Sequence, residues 1–354
     1  MEERLERLLV SAFKRGASDL HLVPARFPYL RIDGELVPIS DEGLLPAKEI
    51  ERLIFSILEP EEQKRLDKYK DIDFSLSIGN QMRFRVNVYF QTGGLAAAFR
   101  LIASDIRTIE ELNLPPVLHE LVNRRQGLVL ITGPAGMGKS TTLAALVDDI
   151  NHKRSAHIIT IEEPIEYLFS SDKAIISQRE ISHHSLNWHR ALRAALRQDP
   201  DVIMIGELRD PESIAIALTA AETGHLVLGS LHTNSASQTI DRIIDVLPEG
   251  MKNQARFQLA SVLVGVLSQR LVPRLDGGRI PAVEILLATA AVRNLIRENK
   301  VYQIDLVIET SFGQGMVTLE RSLATLIDAE IISLETALQY TQNQERLRSL
   351  LVKK

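Results

Sequence analysis

Gly133-Pro134-Ala135-Gly136-Met137-Gly138-Lys139-Ser140 stands between an apolar run at 127–132 and a helical pattern at 139–150. Its reading decides the fold. A glycine-rich turn from a buried strand into a helix N-terminus points backbone N–H groups and the positive end of the helix dipole into one small space, which suits a polyphosphate. Gly133 and Gly138 fit the G-x-x-x-x-G-K-[ST] spacing, with Lys139 placed for the β- and γ-phosphates and Ser140 for Mg²⁺. Pro134, Ala135, Gly136, Met137 and Thr141 complete the set expected to line the nucleotide. Four fixed positions recur by accident in about one chain of this length in a hundred. The strand–turn–helix context makes accident rarer still, so residues 133–140 read as a nucleoside triphosphate site.

Outward from this loop, 354 residues leave room for two domains and an appended helical piece. The balance of 45% hydrophobic and 25% charged residues is that of an ordinary globular protein. A net charge of −5 argues against an overall nucleic-acid footprint. With no cysteine, disulfides, thiol catalysis and thiolate zinc sites are excluded. The opening Met-Glu-Glu-Arg-Leu-Glu-Arg-Leu-Leu-Val alternates charged and apolar residues and is no secretory signal. The apolar stretch around 259–267 is too short and too broken by Ser and Gly to span a bilayer. A cytoplasmic protein that meets a membrane only through a partner is expected.

Residues 1–16 place Leu5, Leu8, Leu9, Ala12 and Phe13 on one helical face. Short strands at 19–23 and 29–39 follow, the second folded at Asp33-Gly34, then helices at 47–58 and from Glu61. Strands are expected at 71–78, 81–91 and 95–101, turning at Gly79-Asn80 and Gly93-Gly94. Residues 1–102 thus form an α/β domain with an antiparallel sheet. Residues 103–116, which lack periodicity and end in Leu114-Pro115-Pro116, read as a linker. In 117–354 strands at 157–161, 174–178, 201–206 and 225–231 alternate with helices from Leu186 and Glu212, which implies a mostly parallel sheet covered by helices. From Asn253 the pattern is mainly helical, with one strand pair near 270–273 and 279–286.

Asp201-Val202-Ile203-Met204-Ile205-Gly206-Glu207 is an apolar strand ending in a carboxylate. Alone it is an ordinary strand end. Beside a P-loop, Glu207 comes to the edge where ligands bind, to hold Mg²⁺ through water or to polarise the attacking water. Glu162-Glu163-Pro164-Ile165-Glu166 closes another strand with three acids, either a solvated loop or a group in which two serve metal and water. His225 and His232 bracket a strand seven residues apart, too far to share a metal ion. Each is a structural histidine or, at the strand end, a γ-phosphate sensor. Arg83 and Arg85 share one strand face with Asn87 and Tyr89, and Arg100 lies on the next strand. That face meets water or delivers arginines to another chain's phosphates.

Together these stretches resemble the hexameric ATPases of secretion and type IV pilus systems, and most closely their pilus retraction motors. The motifs in order are the Walker A loop 133–140, the acidic box 161–166, the Walker B region Leu196-Arg197-Gln198-Asp199-Pro200-Asp201 through Gly206-Glu207-Leu208-Arg209-Asp210, and the histidine box Ala221-Glu222-Thr223-Gly224-His225 through Leu231-His232-Thr233. Ala17-Ser18-Asp19-Leu20-His21-Leu22 resembles the family's N-terminal opening, and Ala291-Val292-Arg293-Asn294-Leu295-Ile296-Arg297-Glu298 resembles its retraction-associated helix. The acidic box departs from the family's Glu-Asp-Pro, with Glu163 in place of Asp. The loop carries Ala135 and Met137 where Thr and Ser are usual, and Val292 stands for Ile.

The resemblance implies an α/β protein with a PAS-like N-terminal domain (1–102) and a RecA-like P-loop domain with C-terminal helices (117–354), assembled as a homo-hexamer. It implies Glu207 as the catalytic carboxylate, Glu163 or Glu166 assisting with metal or water, and His232 at the γ-phosphate. Arg83, Arg85 and Arg100 become candidates for arginines supplied in trans. Partners would be an inner-membrane platform protein and, indirectly, pilin. An assembly or secretion ATPase is the near alternative, but such relatives carry a longer N-terminal region and a four-cysteine insertion. A nucleic-acid motor would interleave basic and aromatic residues, and this chain has 5% aromatics. A regulatory nucleotide-binding protein would not need Lys139, Ser140 and Glu207 together.

Overall fold

The computed structural model describes residues 1–32, 34–79, 82–102 and 106–352. The expected turns at Asp33-Gly34 and Gly79-Asn80 each include a residue outside that set. Contacts divide the chain into two units, Met1–Asp105 with Glu166–Leu168, and Ile106–Ile165 with Phe169–Lys354.

The first unit runs α1 (Glu3–Lys14), β1 (Asp19–Leu22), β2 (Tyr29–Ile32), β3 (Glu35–Pro38), α2 (Ala47–Phe55), α3 (Pro60–Tyr69), β4 (Asp71–Ile78), β5 (Met82–Gln91) and β6 (Gly94–Ile102). Its strands make one antiparallel sheet in the order β3-β2-β1-β6-β5-β4. Alternation sorts each strand into two faces. Leu30, Leu20, Phe99, Val86 and Phe74 lie in register across five strands, on the face buried with Leu5, Leu8 and Leu9 of α1 and Ile50, Leu53 and Ile54 of α2. One position along, the opposite face carries Arg31, Asp19, Arg100, Arg85 and Ser75 as a polar row. The tight turn between β5 and β6 falls at Thr92-Gly93, one residue before the expected pair, because Gly94 already pairs with Gln91.

The second unit comprises α4 (Val117–Val122), β7 (Gly127–Thr132), α5 (Lys139–Lys153), β8 (His157–Glu162), β9 (Ile175–Glu180), α6 (Trp188–Ala195), β10 (Val202–Ile205), α7 (Pro211–Glu222), β11 (Leu226–Leu231), α8 (Ala236–Asp245), α9 (Glu249–Val262), β12 (Leu263–Pro273), β13 (Arg279–Leu287), α10 (Ala290–Arg297), α11 (Ile304–Thr310), α12 (Leu319–Asp328), α13 (Leu334–Tyr340) and α14 (Gln344–Val352). The sheet order is β13-β12-β7-β11-β10-β8-β9, parallel except for the antiparallel β12–β13 pair. Strands β7, β10 and β11 are buried at every residue, as continuous apolar runs in a sheet covered on both faces require. Asn187 and Asp210 accept N–H bonds at the starts of α6 and α7.

Two expectations are corrected. Residues 103–116 are not all linker: Ile109 and Leu114 are buried in the second unit's core with Leu118 and Val129, so an aperiodic segment is fixed by its few apolar side chains. The late strand pair is also longer than 270–273 and 279–286. Strand β12 begins at Leu263 straight after α9 and runs parallel to β7. Its near-complete burial hides the alternation that would separate strand from helix.

Glu284 of β13 lies under α8, its Oε1 accepting the Ala236 N–H at 2.7 Å. Burial pushes this carboxyl up to about 7; the Ala236 bond pulls it down, Asp305 and Glu320 add to the rise, and Arg270 opposes it. The folded chain therefore holds this proton more tightly than the unfolded chain, whose value is near 4.5. Stability from this group is present below 4.5 and is lost as pH rises through 7, by up to about 3 kcal/mol. Glu284→Gln keeps the acceptor without the charge. Urea unfolding at pH 5 and pH 8 is expected to show the variant gaining about 2–3 kcal/mol on the parent at the higher pH; an equal gap at both values contradicts this.

Candidate nucleotide site and catalytic centre

Parallel registers set where the functional residues emerge. Thr132 pairs with Leu231, Ile205 with Gly229, and Ile205 with Ile161. Continuing two residues past Ile205 brings Glu207 level with Leu231 and Glu163. Gly133, His232, Glu207 and Glu163 thus all leave the sheet at its C-terminal edge, where open α/β sheets bind ligands.

The loop from β7 into α5 depends on glycine at two positions. Gly133 has φ +143°, and a Cβ there would sit 2.4 Å from the Gln269 carbonyl oxygen. Gly138, in the left-handed region at φ +79°, is the N-cap of α5. The loop is clamped from β12: Gln269 donates through Nε2 to the Met137 carbonyl and accepts from Thr142 Oγ1 at 2.9 Å, while the Leu271 N–H meets Met137 Sδ at 3.2 Å.

Lys139 is 8% exposed. A buried ammonium is costly unless its donors are satisfied, and Nζ donates to the carbonyls of Gly133 at 2.8 Å and Pro134 at 2.9 Å and meets His232 Nδ1 at 3.2 Å. An ammonium donating to Nδ1 assigns the imidazole proton to Nε2, which faces Glu207 Oε1 at 3.3 Å. The other oxygen, Oε2, accepts from Arg209 Nη2 at 2.8 Å. Burial pushes the Glu207 carboxyl up, but the hydrogen bond and charge of Arg209, together with the contact from the His232 ring, outweigh it and hold it below the ordinary range. Reciprocally, the bond to Glu207 raises Arg209, with Glu163 adding to the effect. Glu163 Oε2 in turn accepts from Trp188 Nε1 at 2.8 Å. Lys139, His232, Glu207 and Arg209 form one hydrogen-bonded line, with Glu163 and Trp188 at its far end.

The three acids of the box do not act alike. Glu162 is buried and accepts from Thr160 Oγ1 at 2.7 Å and Gln178 Nε2 at 3.3 Å, a sheet-internal role. Glu163 reaches the Arg209 field, and Glu166 groups with the first unit. His225 is structural, its Nδ1 meeting the Ala220 carbonyl at 2.9 Å. Ser140 follows Lys139 in the first turn of α5, level with the amides. In the first unit, Arg100 is 70% exposed and pairs with Asp19 at 2.9 Å; Arg85 lies opposite it in register and 3.8 Å from Asp73. Trp188 and Gln269 lie outside the residues the sequence singles out, and Arg209 enters there only as part of the Walker B region. Of the first two only Trp188 carried a signal, as the one tryptophan.

A glycine cradle, a helix N-terminus, a buried lysine and a strand-end carboxylate define a P-loop nucleoside triphosphate site. A family model of the type II/IV secretion system protein matches residues 1–298, and the chain belongs to that family. It is 45% identical over 333 residues to the type IV pilus retractation ATPase PilT of Pseudomonas aeruginosa, covering 94% of this chain and 96% of that one. A twitching motility protein of Neisseria gonorrhoeae is also 45% identical, over 90% of this chain and 86% of that one. The crystal structure of the pilus retraction motor PilT with bound ADP is 42% identical at a TM-score of 0.91, covering 99% of this chain and 100% of that chain. The expected family and the PAS-like plus RecA-like fold are borne out.

Arg209 is the group that offsets burial at Glu207. In Arg209→Ala the carboxyl is expected to rise, so the acid limb of the kcat against pH profile for ATP hydrolysis moves to higher pH. A limb that stays in place contradicts the assignment.

Proposed function

We propose that this chain is an ATP-hydrolysing motor that acts as a homo-hexamer and powers type IV pilus retraction. Its work drives pilus disassembly into the bilayer at an inner-membrane platform protein, and it meets pilin only indirectly. The observation that carries this reading is the joint one of full-length likeness to a retraction ATPase and a continuous Lys139–His232–Glu207–Arg209 line at the sheet edge. Among the described residues no helix is long and apolar enough to cross a membrane, in keeping with a cytoplasmic protein docked on the inner membrane through that platform. The one tryptophan is engaged with Glu163 rather than offered to a base, which weighs against a nucleic-acid motor.

The chemistry follows from the groups present. The backbone N–H groups of 135–141 and the α5 dipole hold the phosphates of ATP. Lys139 exchanges its loop carbonyls and His232 for the β- and γ-phosphate oxygens, and the freed imidazole turns its N–H to the γ-phosphate. That exchange uncovers Oε1 of Glu207, which orients the attacking water while Arg209 keeps the carboxylate ionised. Ser140, with Glu207 and Glu163 acting through water, would hold Mg²⁺, which supplies charge neutralisation at the phosphates when bound. The chemistry of the ligand set fits such a group, because its members are hydroxyl and carboxylate oxygens. Charge developing on the γ-phosphate is neutralised by an arginine of a neighbouring subunit, drawn from Arg83, Arg85 and Arg100 on the exposed sheet face.

Glu207→Gln removes the base and leaves the cradle, so nucleotide binding is expected to persist while turnover falls about 10²–10⁴-fold. Lys139→Ala is expected to lose nucleotide affinity. In the native host, a Glu207→Gln strain should carry abundant surface pili that no longer shorten. Bald cells would make this an assembly motor instead, and normal turnover in the purified variant would remove Glu207 from the catalytic role.

A further inference from the structure

The loop that carries His232 is tied to a part of the chain more than a hundred residues away. The Asn234 carbonyl receives three donors: Ser268 Oγ at 3.1 Å, Arg270 Nη2 at 3.1 Å and Gln342 Nε2 at 2.7 Å. Arg270 Nη2 also reaches Asn234 Oδ1 at 3.1 Å. A carbonyl oxygen has two lone pairs, so three converging donors fix this peptide more firmly than a surface loop requires. The residues on either side are fixed too. Ser235 caps α8, accepting from the Gln238 N–H at 3.2 Å, and Thr233 Oγ1 meets Thr239 Oγ1 at 2.6 Å.

Gln342 is itself anchored. It lies between α13 and α14, where the buried Glu320 of α12 accepts from Thr341 Oγ1 at 3.0 Å, the Gln342 N–H at 3.3 Å and the Asn343 N–H at 3.2 Å. The C-terminal helices therefore present one amide donor, on a rigid mount, to the peptide two residues past His232. On β12 the preceding residue, Gln269, clamps the P-loop at Met137 and Thr142. Consecutive side chains of one strand thus hold the phosphate loop and the histidine loop, and Gln342 closes the second grip from outside the sheet.

We propose that Gln342 is a positioning residue for ATP hydrolysis, latching the C-terminal helices onto the Asn234 carbonyl so that His232 leaves β11 at a fixed angle. This rests on the reading of His232 as the γ-phosphate contact. Because the latch acts on the hydrolysing arrangement and not on the cradle, its loss slows turnover without weakening nucleotide binding. The hydrogen bond is at the surface, so the chain folds without it and the effect is modest.

The test uses the full chain with three substitutions, measuring ATP turnover and, by fluorescent nucleotide titration, ADP affinity. Gln342→Met keeps length and loses the donor; kcat should fall about two- to tenfold, with KM for ATP and Kd for ADP within about twofold of the parent. Gln342→Lys returns a donor and should restore kcat. Amide hydrogen exchange at 232–235 should be faster in Gln342→Met and return to the parent rate in Gln342→Lys. A Gln342→Met chain with parental kcat, or one whose turnover Gln342→Lys does not restore, overturns the latch while a slow His232→Ala chain leaves the histidine reading standing. Parental turnover in His232→Ala overturns both.

Discussion

The Lys139 ammonium is the constraint around which the second unit is arranged. An almost fully buried cation needs partners, and it finds them in the Gly133 and Pro134 carbonyls of its own loop and in His232 of a neighbouring strand. That third partner matters most, because it makes the phosphate-binding loop and the histidine loop a single electrostatic object. The histidine is in turn held to Glu207, and Glu207 to Arg209. Whatever draws the ammonium away from its resting acceptors must rearrange each of these groups. In the function proposed above, that ligand is a γ-phosphate, which brings charge and acceptor oxygens to that point.

This coupling needs several strands to end in step. Glu207 and Glu163 lie level with Leu231, one residue before His232, because β8, β10 and β11 are parallel and registered residue by residue. Strand β12 then supplies a brace from the far side, with Gln269 on the P-loop and Arg270 on Asn234. Burial and polarity are balanced across the site: burial alone would raise the Glu207 carboxyl, and Arg209 reverses the sign. In the first unit the logic is simpler. Its apolar face packs against α1, α2 and α3, and its other face is left to a charged row, Arg31, Asp19, Arg100 and Arg85, with one acidic member among the arginines.

Much of this was legible in the sequence because it is local. The spacing from Gly133 to Ser140 fixes a loop, an apolar run before Glu207 fixes a strand end, and alternation at 83–89 separates the buried face of β5 from the arginine face. What was not legible depends on long-range register or on burial that erases pattern. Strand β12 opens on the run Leu263-Val264-Gly265-Val266-Leu267, which carries no polar side chain on either face, so its start is hidden behind α9. Ile109 and Leu114 look like linker until they are seen in the core with Val129. Trp188 and Gln269 act on residues 25 and 132 positions away, distances at which a single chain carries no pairing signal. Arg209 was read as part of a motif, while its role is to keep its near neighbour ionised.

A crystal structure of this chain with a non-hydrolysable ATP analogue and Mg²⁺ tests the central claim most directly. The account predicts Lys139 Nζ on the β- and γ-phosphate oxygens and beyond hydrogen-bond reach of the Gly133 and Pro134 carbonyls, with the imidazole of His232 turned to the γ-phosphate and Oε1 of Glu207 facing a water. If Lys139 still held both carbonyls and His232 still held Glu207 with the triphosphate in place, the ammonium would not be the switch, and the line from Lys139 to Arg209 would be structural only.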